Sequence, residues 1–250
     1  MRVNILKRAA LVTVVFLAAA LGAASDPVNA SVIQMYSGVS SVGTPLSLQA
    51  ELAINGDILT VTLQNKSTAD SSAPNDLLCS YYFDIVNSES VRPTLVYESA
   101  TGDVWWTQQD SPDELQTPGA NLMAVNDGDD TWQFKTFDAD LNPFLGFGVG
   151  TVGNSNLPNN FNGNIVGGFN YSIYVGDVAT SNLVGQNGYP LVKGPVTFVF
   201  SGVGGFSEAD ISCSFVFGLG TAPDNTVPEP ATMGLLALGG LALLLRKRKH

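Results

Sequence analysis

Four groups of residues have the types and spacing to do chemistry. Asp113-Glu114, with Asp138 and Asp140, raise glycoside hydrolysis, which needs two carboxylates about 5–10 Å apart across a cleft. Trp105, Trp106 and Trp132 could stack on sugar rings. Trp105 and Trp106 are adjacent, so in a strand they point to opposite faces, one toward the core and one toward the surface. Asn126-Asp127-Gly128-Asp129-Asp130 gathers Asp127, Asp129 and Asp130 on a tight turn, the hard oxygen donors that Ca²⁺ uses. The spaced ligands and distal Glu of an EF-hand loop are missing, so an acidic β-turn competes with the Ca²⁺ reading and no metal is assigned. Gly148-Val149-Gly150-Thr151-Val152-Gly153 fits G-x-G-x-x-G, but more Gly, Asn and Pro follow, where dinucleotide binding needs a helix to start.

The missing chemistry is more decisive. The single histidine is His250, at the far C-terminal end, so the body of the chain contains none. That excludes Ser-His-Asp and Cys-His catalysis and His-ligated zinc or copper from the body. We expect no cofactor and no enzymatic activity. Between residues 31 and 226 the only cations are Lys66, Arg92, Lys135 and Lys193, against many carboxylates, and the whole chain carries a formal charge of -11. Such a body repels nucleic acid and anionic lipid.

The elements that must position these residues are strands. Candidate runs fall at 31–37, 77–86, 94–99, 104–107, 122–125, 131–137, 169–175, 196–201 and 211–219, separated by Gly, Pro, Asn and Asp. The clearest unit is a hairpin over 46–65. Leu46, Leu48, Ala50, Leu52 and Ile54 alternate with mostly polar residues, Asn55-Gly56 supplies a turn pair, and Leu59, Val61 and Leu63 resume the alternation. A turn centred on Asn55-Gly56 sets Leu52 opposite Leu59, Ala50 opposite Val61 and Leu48 opposite Leu63. Residues 109–119 read as a polar loop and 146–168 as a long Gly/Asn-rich loop. The fold class is all-β, one β-sandwich or jelly-roll-like domain over 31–220.

Both ends read as targeting segments. Arg2, Lys7 and Arg8 precede an apolar run over 9–21 and then small residues, the pattern of a secretory signal peptide over 1–30, cleaved after Ala24 or Ala30. A linker over 221–227 leads to Pro228-Glu229-Pro230, an apolar run over 233–245, and Arg246-Lys247-Arg248-Lys249. A 13-residue helix rises about 20 Å, short of the hydrocarbon thickness of about 30 Å, so the segment suits a temporary membrane hold. The basic tail stays cytoplasmic under the positive-inside rule.

Pro228-Glu229-Pro230, the glycine-containing apolar run and the basic tail together resemble a PEP-CTERM sorting domain over 228–250. The resemblance implies a protein of Gram-negative bacteria that crosses the inner membrane and is held there by a single hydrophobic helix. It is then processed by an exosortase and released to the cell surface or an extracellular polysaccharide matrix. The implied partners are the secretion translocon, the exosortase and extracellular polysaccharide. In that oxidising setting the pair Cys79 and Cys213 suits a disulfide, worth on the order of 4–5 kcal/mol by chain entropy. The reading at this stage is an exported, disulfide-stabilised structural or binding protein of the surface or biofilm matrix. A secreted lectin-like carbohydrate-binding module and a glycoside hydrolase are its rivals, and a simple membrane-anchored periplasmic domain is a third.

Overall fold

The computed structural model describes residues 30–123, 131–137, 145–151, 170–178, 183, 188–220 and 226–228. Its strands are β1 (Val32–Val39), β2 (Pro45–Asn55), β3 (Ile58–Asn65), β4 (Leu78–Phe83), β5 (Val96–Gln108), β6 (Ser111–Asn121), β7 (Gln133–Thr136), β8 (Phe147–Gly150), β9 (Ile173–Tyr174), β10 (Tyr189–Lys193), β11 (Val196–Ser201), β12 (Val216–Leu219) and β13 (Thr226–Pro228). Only two 3₁₀ turns, Pro74–Asp76 and Glu208–Asp210, interrupt them among the described residues. The described residues are all-β, as expected. The signal peptide, the apolar run over 233–245 and the basic tail lie outside the described residues, as do Asp127, Asp129 and Asp130.

The strands join into one 13-stranded sheet in the order β1-β2-β3-β11-β5-β10-β9-β4-β12-β13, with β6 on β5 and the β7–β8 pair on β4. The sheet doubles over on itself. Phe134 of β7 lies 4.8 Å from Phe200 of β11, ring centre to ring centre, and Trp132 meets Phe198 edge-on at 5.1 Å. At the other end Gln34 of β1 donates from Nε2 to the Ser212 carbonyl at 2.8 Å and accepts from the Tyr81 hydroxyl of β4. The two halves therefore share one core, in which Leu48, Leu52, Leu63, Tyr81, Phe83, Phe198 and Phe217 are all fully enclosed. Polar groups at the fold's closure are paired, as burial requires.

The hairpin forms with the expected faces and a shifted register. Leu52 pairs with Val61, Ala50 with Leu63 and Ile54 with Leu59, so the turn is Gly56-Asp57 and the ladder is offset by two residues from the Asn55-Gly56 expectation. A two-residue slip keeps every side chain on its own face, where a one-residue slip would invert them all. Gly56 takes φ +62°, and Asp57 is held from the far side: its carbonyl accepts from Gly202 N at 3.1 Å and its Oδ1 from Gly204 N at 2.7 Å. Contacts from Gly202 and Gly204, far along the chain, select the turn.

Four further expectations change. Residues 94–99 and 104–107 merge into the single strand β5, whose two halves pair with β11 and β10. The expected loop over 109–119 is instead β6, folded back on β5 through Asp110 at φ +60°. It lacks alternation because it is almost wholly exposed, so no buried face imposes a period. The start of the Gly-rich stretch is the buried strand β8, and a Cβ on Gly148 would meet the Tyr82 ring at 2.7 Å, so this glycine serves strand packing. The linker over 221–227 ends inside the sheet, because Thr226–Pro228 pair with β12.

The expected disulfide is absent: Cys79 and Cys213 are both free. Cys79 is buried in β4 and Cys213 is exposed just before β12. Antiparallel pairing explains this. Ile211 bridges Ile85, and Ser212 N donates to the Asp84 carbonyl at 2.9 Å, so Cys213 lies about five residues along β4 from Cys79. At about 3.3 Å per residue that is roughly 16 Å, against a limit of about 7 Å between bridged Cα atoms. The Cys79 thiol points instead at the carbonyls of Gly218 and Gly220, at 3.2 and 3.0 Å, and burial pushes its pKa up to about 12.

Candidate functional site

The three tryptophans separate cleanly. Trp132 is fully buried, donates from Nε1 to the Tyr171 carbonyl at 3.0 Å and packs on Phe198. It is core and offers no face to a sugar, which removes it from the expected contact set. Trp105 and Trp106 do point to opposite faces of β5. Trp105 is half-buried against a small apolar cluster of Leu77, Tyr174, Val178, Leu183 and Leu191. Trp106 is 37% exposed and lies across the Gly188 backbone, where a Cβ would sit 2.5 Å from its Nε1.

Around Trp105 the strands assemble a polar cluster that no local pattern announces. Trp105 pairs with Leu191, and Lys193, two residues on, pairs with Tyr174 of β9, so all lie on one face. The Lys193 ammonium sits 5.1 Å from the Trp105 ring centre and 5.3 Å from that of Tyr174, a double cation–π seat. Its carboxylate partner is Asp113 of β6 at 3.7 Å. The Tyr174 hydroxyl donates to the same oxygen, Asp113 Oδ2, at 2.9 Å. The Asp113 side chain is 5% exposed. Burial raises its pKa above the ordinary carboxylate range, against the opposing pull of the Tyr174 hydrogen bond and Lys193. Burial first, and the adjoining carboxylate second, push the Tyr174 phenol well above its usual value.

Chemically this cluster is a clasp. Asp113 has one oxygen shared by a phenol and an ammonium and the other enclosed in the fold, so it ties β6 to β9 and β10. The one signal in the sequence was Lys193 itself, a cation at the end of the apolar run Tyr189–Val192 in a body with so few cations. Asp113 thus has a partner across the sheet. Asp138 and Asp140, its expected companions in a hydrolase, lie outside the described residues, as does most of the loop over 146–168. Among the described residues, no group of three or more metal-ligating side chains comes together.

The exposed face of β5 is different in character. Trp106 stands opposite Glu114 of β6 in register, and both are exposed. A flat indole beside a carboxylate acceptor is the minimal pair for stacking on a sugar ring and accepting its hydroxyls.

At the other end of the sheet lies the sorting segment. Pro228 pairs with Val216, Val227 with Phe217 and Thr226 with Gly218, so the first residue of Pro228-Glu229-Pro230 is held in strand β13 on the domain edge. Among the described residues no helix is long and apolar enough to cross a membrane.

Comparison with known proteins bears on this end of the chain. No curated protein matches it. A solved structure, the KRT10-binding region domain of the pneumococcal serine rich repeat protein PsrP, is 12% identical, spans 81% of this chain and 90% of that one, and has a TM-score of 0.26. A family model for the PEP-CTERM protein-sorting motif matches residues 226–249, taking in Pro228, Glu229, Pro230 and Arg246 to Lys249. The motif implies export, a transient membrane anchor and processing by an exosortase, and the chain accordingly carries a PEP-CTERM protein-sorting segment at residues 226–249.

Proposed function

We propose that this is a non-enzymatic structural or binding protein of the cell surface or extracellular matrix, exported through the secretion translocon and associated with exopolysaccharide or biofilm material. The observation that carries the reading is the sorting motif over 226–249. An acidic, histidine-free body supports it, since such a body stays soluble among polyanions and lacks the groups of the commonest hydrolases. The domain plan that goes with it is a signal peptide over 1–30, a body over 31–220 and a sorting segment from 228.

The test is intact mass and terminal peptide mapping of protein from the native host, with membrane and extracellular fractions kept apart. The reading requires extracellular protein that has lost the segment beyond Pro228-Glu229-Pro230. Full-length protein ending in His250, found only in the membrane, would replace it with a tail-anchored periplasmic domain.

A second reading has its own observation. Trp106 and Glu114 form an exposed stacking-and-acceptor pair, which favours a lectin-like carbohydrate-binding module. Retention on matrix polysaccharide should then fall when Trp106 is changed to Ala; unchanged retention would remove this reading and leave the first intact.

A further inference from the structure

Among the described residues, the outer edge of β1 is unlike the edges at β6, β7 and β13. β6 carries exposed Pro112, Glu114 and Pro118, β7 carries Lys135, and β13 ends on Pro228. Prolines and charges of this kind stop edge strands from recruiting others. β1 has neither: from Ser31 to Thr44 there is no charged residue and no proline. The backbone groups of its eight residues pair with β2 and with no other backbone group among the described residues; the Gln34 side chain alone reaches across the core, to Ser212 and Tyr81. Ile33 is 46% exposed, Val39 57% and Val42, in the following turn, 56%. A row of unpaired N–H and C=O groups flanked by exposed aliphatic side chains is complementary to another extended strand.

The identity of that strand follows from charge and symmetry. With no charge of its own, this edge cannot select a charged peptide. The rest of the body is acidic, so two copies repel wherever carboxylates meet and approach most easily where there are none. Antiparallel pairing of β1 with β1 about a twofold axis through Tyr36 sets Ile33 opposite Val39, Gln34 opposite Gly38 and Met35 opposite Ser37. Each aliphatic contact is then made twice. The register keeps faces matched: Ile33, Met35, Ser37 and Val39 lie on the outward face, while Gln34 and Tyr36 turn toward the core in both copies. Like charges never stand opposite, and both edges are consumed, so the assembly closes at two copies.

We propose that β1 is a self-association edge through which two copies of this chain join their sheets into one. The pairing is independent of processing at the C-terminal motif, so failure of the sorting reading leaves the outcome below unchanged.

Full-length Ile33→Cys and Val39→Cys chains, each also carrying Cys213→Ser, are mixed with one of them isotopically labelled and exposed to a mild oxidant. The expected product is a disulfide between residue 33 of one copy and residue 39 of the other, formed in the mixture and not by either variant alone. Absence of that product, or equal cross-linking of a single variant with itself, overturns the proposal. Sedimentation of the unmodified chain over a concentration series should show a dimer. Ser37→Lys, an exposed change that places two ammonium groups at the interface, should lower its association constant at least tenfold; a dimer indifferent to Ser37→Lys uses another surface and also overturns the proposal.

Discussion

Arg92 holds the Asp84 carboxylate at two points, Nε to Oδ1 at 2.8 Å and Nη2 to Oδ2 at 2.7 Å. Asp84 is 2% exposed and directly follows β4, where its carbonyl also receives Ser212 N. Gly146 backs the pair so closely that any Cβ there would strike both partners. Removing one partner of such a pair strands a buried charge, which costs about 3–5 kcal/mol. Arg92→Ala should therefore lower unfolding free energy by that order in urea titrations. Arg92→Lys should recover only part, because an ammonium cannot make the two parallel contacts.

The two thiols should differ sharply in reactivity. A maleimide at neutral pH should label Cys213 alone in the folded protein, since Cys79 is enclosed and its thiol is held protonated. Mapping the adduct after proteolysis checks this. Labelling of Cys79 should appear only with denaturant, and reducing agents should leave the unfolding midpoint unchanged. A midpoint that falls on reduction would restore the disulfide.

The Asp113 clasp implies an inverted acid response. Its folded pKa lies above that of the unfolded carboxyl, about 3.9. The folded state therefore holds the proton more tightly. This group's contribution to stability is greatest below about pH 4 and declines as pH rises through the folded value. Asp113→Asn keeps an acceptor for the Tyr174 hydroxyl and cannot ionise. In paired denaturation series, the variant should be at least as stable as the parent near pH 7, and the gap should close on acidification. A gap that widens toward acid would reverse the sign.

Trp132 and Trp106 should separate stability from surface. Trp132→Ala empties a fully buried site against Phe198 and should cost about 3–5 kcal/mol by thermal or chemical unfolding. Trp106→Ala, on the exposed face, should cost under about 1 kcal/mol. Equal losses would mean that Trp106 is buried in solution by something beyond the described residues.

Much of this molecule was legible where burial imposes a period. Leu48, Ala50 and Leu52 alternate because one face of β2 meets the core, and that face assignment survives the two-residue register shift intact. The register itself was not legible, because Asp57 is held by Gly202 and Gly204 and no feature near Asn55-Gly56 encodes that. β6 was unreadable for the opposite reason: an exposed edge has no apolar face to write a pattern. The cysteine pairing failed because even count and compartment say nothing about register, and antiparallel strands carry residues apart as readily as together. Asp113, Tyr174 and Lys193 come from three strands scattered over 80 residues, so only the assembled sheet places them. The sorting motif is the contrary case. Recognition by a processing enzyme reads a short linear segment, so its residues must be contiguous.

β11 has a consequence for the order of events as the chain is made and moved. It lies between β3 and β5 in the sheet, yet it comes more than 130 residues after β3. As the chain emerges from its N-terminus, the β2–β3 hairpin can close early, but the inner edge of β3 stays open until Val196–Ser201 arrives. Long-range pairings of this kind are slow to form because the intervening loop must be closed first. A chain that still lacks Val196–Ser201 is therefore an unfinished sheet. That keeps it threadable while it moves and leaves its edges unguarded for the same interval, a window in which a holding chaperone would have something to hold.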